Sequence, residues 1–286
     1  MASLKDIKNH INSVRSTLKI TSAMKMVASA KLRKAQQAVE AMRPYEAALH
    51  SILAQAGGKL SLRREAVDEW GLEQKKERVA LVVLSSNSSL CGGFNANVIR
   101  AARAAIARIQ AAGESVTVMS LGRKVEEALR KDGFPSPADY RHIVGKSTYE
   151  DAAALAQTLL EGYMGGEWDR VELIYNHFVN TASQKVVQET YLPFDAGAAQ
   201  EEGRGFIIEP DPEAVLKLLL PKVIRLKLYT VVLDSVAAEH AARTVAMQTA
   251  TENGEELLQS LTLEYNKSRQ QKITAEILDL VGGSLQ

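Results

Sequence analysis

The chain has a single cysteine, Cys91, among 286 residues, so no internal disulfide can brace it, and a reducing compartment suits it. Proline is scarce where it matters most for backbone regularity. From Leu4 to about residue 55 there is one, Pro44, and no glycine. From Lys222 to Val281 there is none, and only one glycine, Gly254. No apolar run approaches the ~18 residues that a membrane-spanning helix needs. The first twenty residues carry Lys5, Asp6, Lys8 and Arg15 on a helical pattern, which is not the order of a secretion signal, so the chain is expected to stay where it is made. The five histidines fall at no metal-ligand spacing.

What remains at the two ends is helix-forming sequence of unusual length. A helix of ~50 residues reaches ~75 Å and one of ~60 reaches ~90 Å, against about 12 residues for an ordinary globular helix. Neither fits inside a compact domain, and the natural partner for each is the other, as an antiparallel coiled coil with a globular body at one end. Positions 4, 7, 11, 14, 18, 21, 25, 28, 32, 35, 39 and 42 support this. Ten of the twelve are apolar at alternating spacings of three and four, which is a coiled-coil seam; Thr21 and Lys25 are the exceptions. Ser3, followed three residues later by Asp6, resembles a capping box. Pro44 is expected to kink the first helix or start a new turn, and Asn253-Gly254 to mark a bend in the last.

The charge is uneven. Residues 1–43 hold nine Lys or Arg against Asp6 and Glu40, a net +7; since the whole chain is +1, the rest carries −6. This suits either a solvated helix face or an acidic partner, protein or nucleic acid.

The middle changes pattern. Residues 57–77 read as a charged linker. Strands are expected at 78–85, 115–121, 170–176 and 185–192, the last two antiparallel, and helices at 94–112, 123–131 and 149–163. This alternation argues for a mostly parallel, Rossmann-like α/β sheet with helices on its faces. A glycine- and proline-bearing loop covers 195–212, and the last helix starts near Glu213 and passes or restarts at Pro221. The domains are thus 1–56, 57–77, 78–210 and 211–286, the first and last forming the coiled coil.

No segment builds an active site. Gly145-Lys146-Ser147-Thr148 resembles a phosphate loop, but Tyr140 stands where the loop needs its first glycine and no strand precedes it. A helix cap at Ser147 or Thr148 fits better. Cys91-Gly92-Gly93 follows the first strand, where α/β sheets often bind ligands, yet there is no G-x-G-x-x-G and a buried Cys91 is the simpler reading.

Four segments, in order along the chain, resemble the γ subunit of bacterial F-type ATP synthases. They are Ile20-Thr21-Ser22-Ala23-Met24-Lys25-Met26-Val27-Ala28, Leu90-Cys91-Gly92-Gly93-Phe94-Asn95, Phe178-Val179-Asn180-Thr181-Ala182-Ser183-Gln184, and Tyr265-Asn266-Lys267-Ser268-Arg269-Gln270-Gln271-Lys272-Ile273-Thr274-Ala275-Glu276-Ile277 with Val281-Gly282-Gly283. The resemblance implies a central-stalk rotor. Its terminal helices would enter the ring of α and β subunits, and its α/β body would sit with the ε subunit on the membrane-embedded c-ring, peripheral on the cytoplasmic face of the inner membrane. Ion-driven rotation would carry the β sites through binding, synthesis and release. The subunit itself would be non-catalytic, with no cofactor and no metal.

By position, the resemblance implies that Met24 faces the acidic lever loop of β. It also implies that Arg243, Arg269, Gln270 and Thr274 hydrogen-bond the β catch loop, and that Ile208 and Glu209 belong to the foot against the c-ring and ε. The family usually has Asp-Arg-Gly before Leu-Cys-Gly-Gly; here Asn87, Ser88 and Ser89 stand there, which replaces a local ion pair. Two competing readings remain at this point: a basic helical-arm adaptor for nucleic acid or an acidic protein, and a nucleotide-binding enzyme using the α/β middle.

Overall fold

A computed structural model describes residues 3–57, 77–194 and 212–283. The first helix, α1 (Leu4–Gly57), opens on the capping box. The Asp6 amide donates to Ser3 Oγ and the Ser3 amide to Asp6 Oδ2, both at 3.2 Å. The last helix, α6, runs from Pro212 to Gly283. Both continue through their internal prolines, Pro44 and Pro221. Pro44 lies on the exposed side of α1, where water can satisfy the carbonyl that loses its partner.

Between these helices come β1 (Arg78–Leu84), α2 (Phe94–Ala111), β2 (Ser115–Leu121), α3 (Arg123–Lys131), α4 (Arg141–Lys146), α5 (Tyr149–Met164), β3 (Arg170–Phe178) and β4 (Gln184–Leu192). The strands form one sheet in the order β2-β1-β3-β4, with β1 parallel to both its neighbours and β4 antiparallel to β3. The fold is therefore the expected mixed α/β sheet flanked by long terminal helices. The short α4 was not expected; its six residues offer only Ile143 and Val144 to the core, too few for a periodic signal.

By contacts the chain divides into two compact units. One comprises 1–29 with 243–286, the other 30–242. In the larger unit the sheet carries a core on each face. Leu81, Val83, Val118 and Ile174 pack under α2 and α3. Ala80, Val82, Leu84, Leu121 and Leu173 pack under α5 and the 212–242 part of α6, with Leu49 of α1 joining them. Near-continuous apolar strands are what a sheet covered on both faces requires. The one buried carboxylate on β3, Glu172 (4% exposed), is met by Arg170 at 2.9 Å, Arg108 at 2.7 Å and Gln188 at 2.7 Å, which offsets its desolvation.

In the smaller unit the ends of the two helices pair antiparallel. Ile7, Ile11 and Val14 meet Leu258, Leu261 and Tyr265. Further along α1, Thr21 meets Thr251 at 3.0 Å and Lys25 Nζ donates to Gln248 Oε1 at 2.7 Å. Rising numbers on one helix face falling numbers on the other. None of the twelve seam positions read from the sequence is exposed. Thr21 and Lys25, the two polar ones, pair across the seam instead of breaking it, a device that fixes register in coiled coils. The helix runs unbroken through Gly254. A Cβ there would stand 2.7 Å from Leu18 Cδ2, so its role is close approach of the two helices.

Candidate functional site

The C-terminal end of β1 is the place where this topology would hold a ligand, because the chain leaves β1 first toward β2 and then toward β3. The chain's own side chains fill it. Cys91 is buried (2% exposed), accepts from Asn95 Nδ2 at 3.1 Å and packs with Phe94 against Ala238 and Ala242 of α6. Asn95 Oδ1 accepts from the Ser86 amide at 3.0 Å. The N-terminus of α3 is also satisfied internally. Ser85 Oγ accepts from the Val125 amide and Asn87 Oδ1 from the Arg123 amide, each at 3.0 Å. Asn87 also donates to the Arg141 carbonyl at 2.9 Å. Asn87 thus ties three segments together, its own carbonyl accepting from Arg123 Nε at 3.0 Å.

The phosphate-loop lookalike is a joint between two helices. Gly145 and Lys146 close α4, Ser147 takes a left-handed conformation (φ 52°), and Thr148 caps α5 by accepting from the Asp151 amide. A hollow of about 320 Å³ lies between β4 and the helices, lined by Glu46, Leu49, Tyr191, Phe194, Val223 and Lys227 among others. Its lysine is already paired with Glu189 at 3.2 Å. Among the described residues no group of three or more His, Cys, Asp or Glu could hold a metal, and no helix is long and apolar enough to cross a membrane.

Five of the positions singled out by the sequence lie on the two terminal helices. Met24 sits half-buried on α1 beside the seam residue Lys25. Its neighbours Ile20, Met26 and Val27 are exposed, at 60%, 63% and 57%. The basic residues Lys5, Lys8, Arg15 and Lys19 all face solvent. Arg243 is buried (7% exposed). Arg269, Gln270 and Thr274 are exposed on α6, and the Thr274 hydroxyl donates to the Gln270 carbonyl at 2.9 Å, so those two share a face. By the antiparallel register, Met24 lies level with about residue 249, so the Arg269–Thr274 group is roughly 30 Å further along α6 at 1.5 Å per residue. The five positions fall at two levels, one on the pair at Met24 and Arg243 and one on α6 beyond the start of α1 at Arg269, Gln270 and Thr274. Ile208 and Glu209 lie outside the described residues.

The same register exposes something that residue-by-residue reading missed. Leu4, the start of α1, lies level with about residue 268, so among the described residues α6 continues for about 15 residues, roughly 20 Å, past the first turn of α1. This stretch is lined by apolar side chains in solvent: Ile273 45% exposed, Ile277 54%, Leu278 65% and Leu280 74%. The spacing of Ile273, Ile277 and Leu280 is visible as a helical stripe, but that no described residue of α1 lies level with it follows only once both helix lengths and their register are known. An isolated segment of this length is marginal as a helix in water, and its apolar face calls for a covering surface.

Comparison with known proteins gives a consistent result. A sequence profile of the family described as ATP synthase matches residues 3–285. The ATP synthase gamma chain of Phocaeicola vulgatus is 51% identical over the full length of both chains. That of Flavobacterium johnsoniae is 41% identical over 99% of this chain and 98% of its own. Among solved structures, the fold resembles a chain of the Euglena gracilis mitochondrial ATP synthase solved with OSCP, F1 and c-ring, with a TM-score of 0.64 at 20% identity, covering 98% of this chain and 92% of that one. It also resembles a chain from the central stalk and c-ring of the Tetrahymena thermophila enzyme, with a TM-score of 0.54 at 22% identity, covering 81% and 99%.

Proposed function

The chain belongs to the ATP synthase gamma-chain family, and from that premise we propose that it is the central-stalk rotor of a bacterial F-type ATP synthase, a subunit that transmits rotation and makes or breaks no bond itself. The observation that carries this reading is the overhanging end of α6, whose exposed apolar stripe has the form of an axle tip awaiting a sleeve. Its partners are the α and β subunits around the helical pair, and ε with the c-ring at the foot, to which Ile208 and Glu209 belong. Its place is the cytoplasmic face of the inner membrane, reached through the complex. The whole-chain family match leaves the nucleic-acid and nucleotide-enzyme readings without support.

Two physical properties let such a chain couple rotation to catalysis elsewhere. The first is stiffness, which the packed seam and its polar register pair supply. The second is asymmetry. At the level of Met24 the pair shows Ile20, Met26 and Val27 on the basic helix α1; further along, at Gln270, α6 shows polar donors. A ring of equivalent β subunits meets a different face at each angle, and each face binds one β conformation better than the others. Turning the pair therefore shifts the β equilibrium by the difference in those affinities.

In this scheme Met24 contacts the acidic lever loop of β. Met24→Lys adds a cation beside that loop and over-strengthens one pairing. The expected outcome is normal assembly with fewer ions pumped per ATP hydrolysed in inverted vesicles; an unaltered pumping ratio would count against this contact. Arg269, Gln270 and Thr274 engage the β catch loop through charge-assisted and neutral hydrogen bonds. Replacing Arg269 and Gln270 together by Ala is expected to lower ATP turnover of the assembled head several-fold, and wild-type turnover would remove both from the role. The reading as a whole is tested by co-expression with α, β and ε. Co-purification as one complex and ATP-driven rotation of a probe on this chain are expected; a chain that purifies alone would contradict it.

A further inference from the structure

A rotor of this kind has to pass twist from its α/β body into its helices, and the larger unit contains a specific joint for that purpose. The end of β3 meets α6 through one carboxylate. Asp234 Oδ1 accepts from the Phe178 amide at 3.0 Å, and Asp234 Oδ2 lies 2.6 Å from His177 Nδ1. Asp234 is 16% exposed and His177 50%, so the pair sits at the margin of the packed region, half-shielded from water. Both acceptor oxygens are used, and the two donors come from consecutive residues. The carboxylate therefore grips the strand by a main-chain and a side-chain group at once, and cannot pivot about a single bond.

Packing continues the grip. Phe178 lies against Ala237 and Ala241 together with Leu32 and Ala35 of α1, and against Ala238 and Ala242 together with Cys91 and Phe94. One aromatic residue thus packs against two clusters whose members come from both terminal helices and the start of α2 within this unit. The alanines leave room for that ring, and the hydrogen bonds to Asp234 hold its backbone in place. Tyr175, three residues before Phe178 on β3, donates to Glu189 at 3.3 Å. Burial first, then the charges of Glu189 and Asp234, push its phenol pKa up, so it remains a neutral donor. Glu189 in turn meets Lys227 of α6 at 3.2 Å. Strand and helix are tied at two levels by charged groups.

We infer that Asp234 is a positioning residue for rotary coupling, latching the end of β3 to α6 so that twist of the sheet reaches the helix without slip. The inference rests on the central-stalk reading. It is specific to this joint: a general contribution to stability would follow from any of the core contacts, whereas a latch controls angular compliance.

The test uses the assembled complex with its head stalled, and a probe on the α/β body at Lys131→Cys, an exposed site on α3. Native Cys91 is buried and does not compete for the label. The readout is the angular spread of the probe. Asp234→Ala is expected to widen the variance by about 1.5-fold or more, since each lost charge-assisted bond is worth several times the thermal energy. Asp234→Asn keeps an acceptor for the Phe178 amide and can donate to His177, and is expected to restore the wild-type spread. His177→Ala, which removes one of the two arms, is expected to fall between. A wild-type spread in Asp234→Ala, even with a lowered melting temperature, would show an ordinary stabilising contact and overturn the latch. Failure of the wild-type chain itself to rotate in the complex would overturn the central-stalk reading instead, and that control is read first.

Discussion

A triple variant, Ile273→Glu, Ile277→Glu and Leu280→Glu, is expected to keep its fold and lose roughly three orders of magnitude in affinity for the catalytic head. These side chains stand in water in the free chain, 45%, 54% and 74% exposed, so exchanging them there changes stability by less than about 0.5 kcal/mol each. Burying their remaining apolar surface in a sleeve is worth about 1–2 kcal/mol apiece. The sum, on the order of 4 kcal/mol, corresponds to about a thousandfold in dissociation constant. Carboxylates driven into the same sleeve add a desolvation cost in the same direction. Titrating the isolated head with labelled chain measures the loss, and circular dichroism checks that the helix content survives. Wild-type affinity in the triple variant would show that the tip is not gripped and would remove the axle-and-sleeve picture.

The second large effect is on folding. Gly122→Ala is expected to destabilise the α/β unit by more than about 4 kcal/mol, a large share of a typical domain's 5–15 kcal/mol. Gly122 has φ 119° and ψ 144°, a conformation open essentially to glycine alone. A Cβ would fall 2.2 Å from the Ser85 carbonyl oxygen and 2.6 Å from Ser85 Oγ. The first is backbone immediately past the end of the central strand β1, held by the Ser85 amide donating to the Leu121 carbonyl at 2.8 Å. The second is the acceptor that caps α3 at the Val125 amide, so moving it frees a buried donor. Chemical denaturation followed at Trp168, which is buried in the core of this unit, reports the change. A transition midpoint close to wild type would mean that the β2–α3 turn can relax around a methyl group.

Much of the architecture was readable from residue order, for identifiable reasons. The seam on α1 is legible because burial on a helix recurs at three and four, and all twelve positions obey it. The strand starts at Arg78, Ser115 and Arg170 are legible because polar or charged residues give way abruptly to Val and Leu. Thr148 is legible as a cap because its hydroxyl has an amide three residues ahead to accept from. Other features resist such reading. Gly254 looks like a weak point in a helix when judged by propensity, and becomes a contact point only against Leu18, more than two hundred residues away in the chain. The overhanging tip depends on where α1 begins relative to α6, a long-range register. The Asp234 joint likewise links residues 56 and 57 apart and has no local signature. Positions such as Met24 and Gln270 became candidates by family resemblance; nothing in their local spacing distinguishes them from ordinary helix surface.

The crevice at the end of β1 carries a last consequence. Phe94, Cys91, Ala238 and Ala242 close it, so a nucleotide could enter only by evicting a helix that the rest of the unit is built around. The strand end that in many α/β sheets faces a ligand here faces the chain's own helix α6, and the crevice serves as a packing seat for that helix.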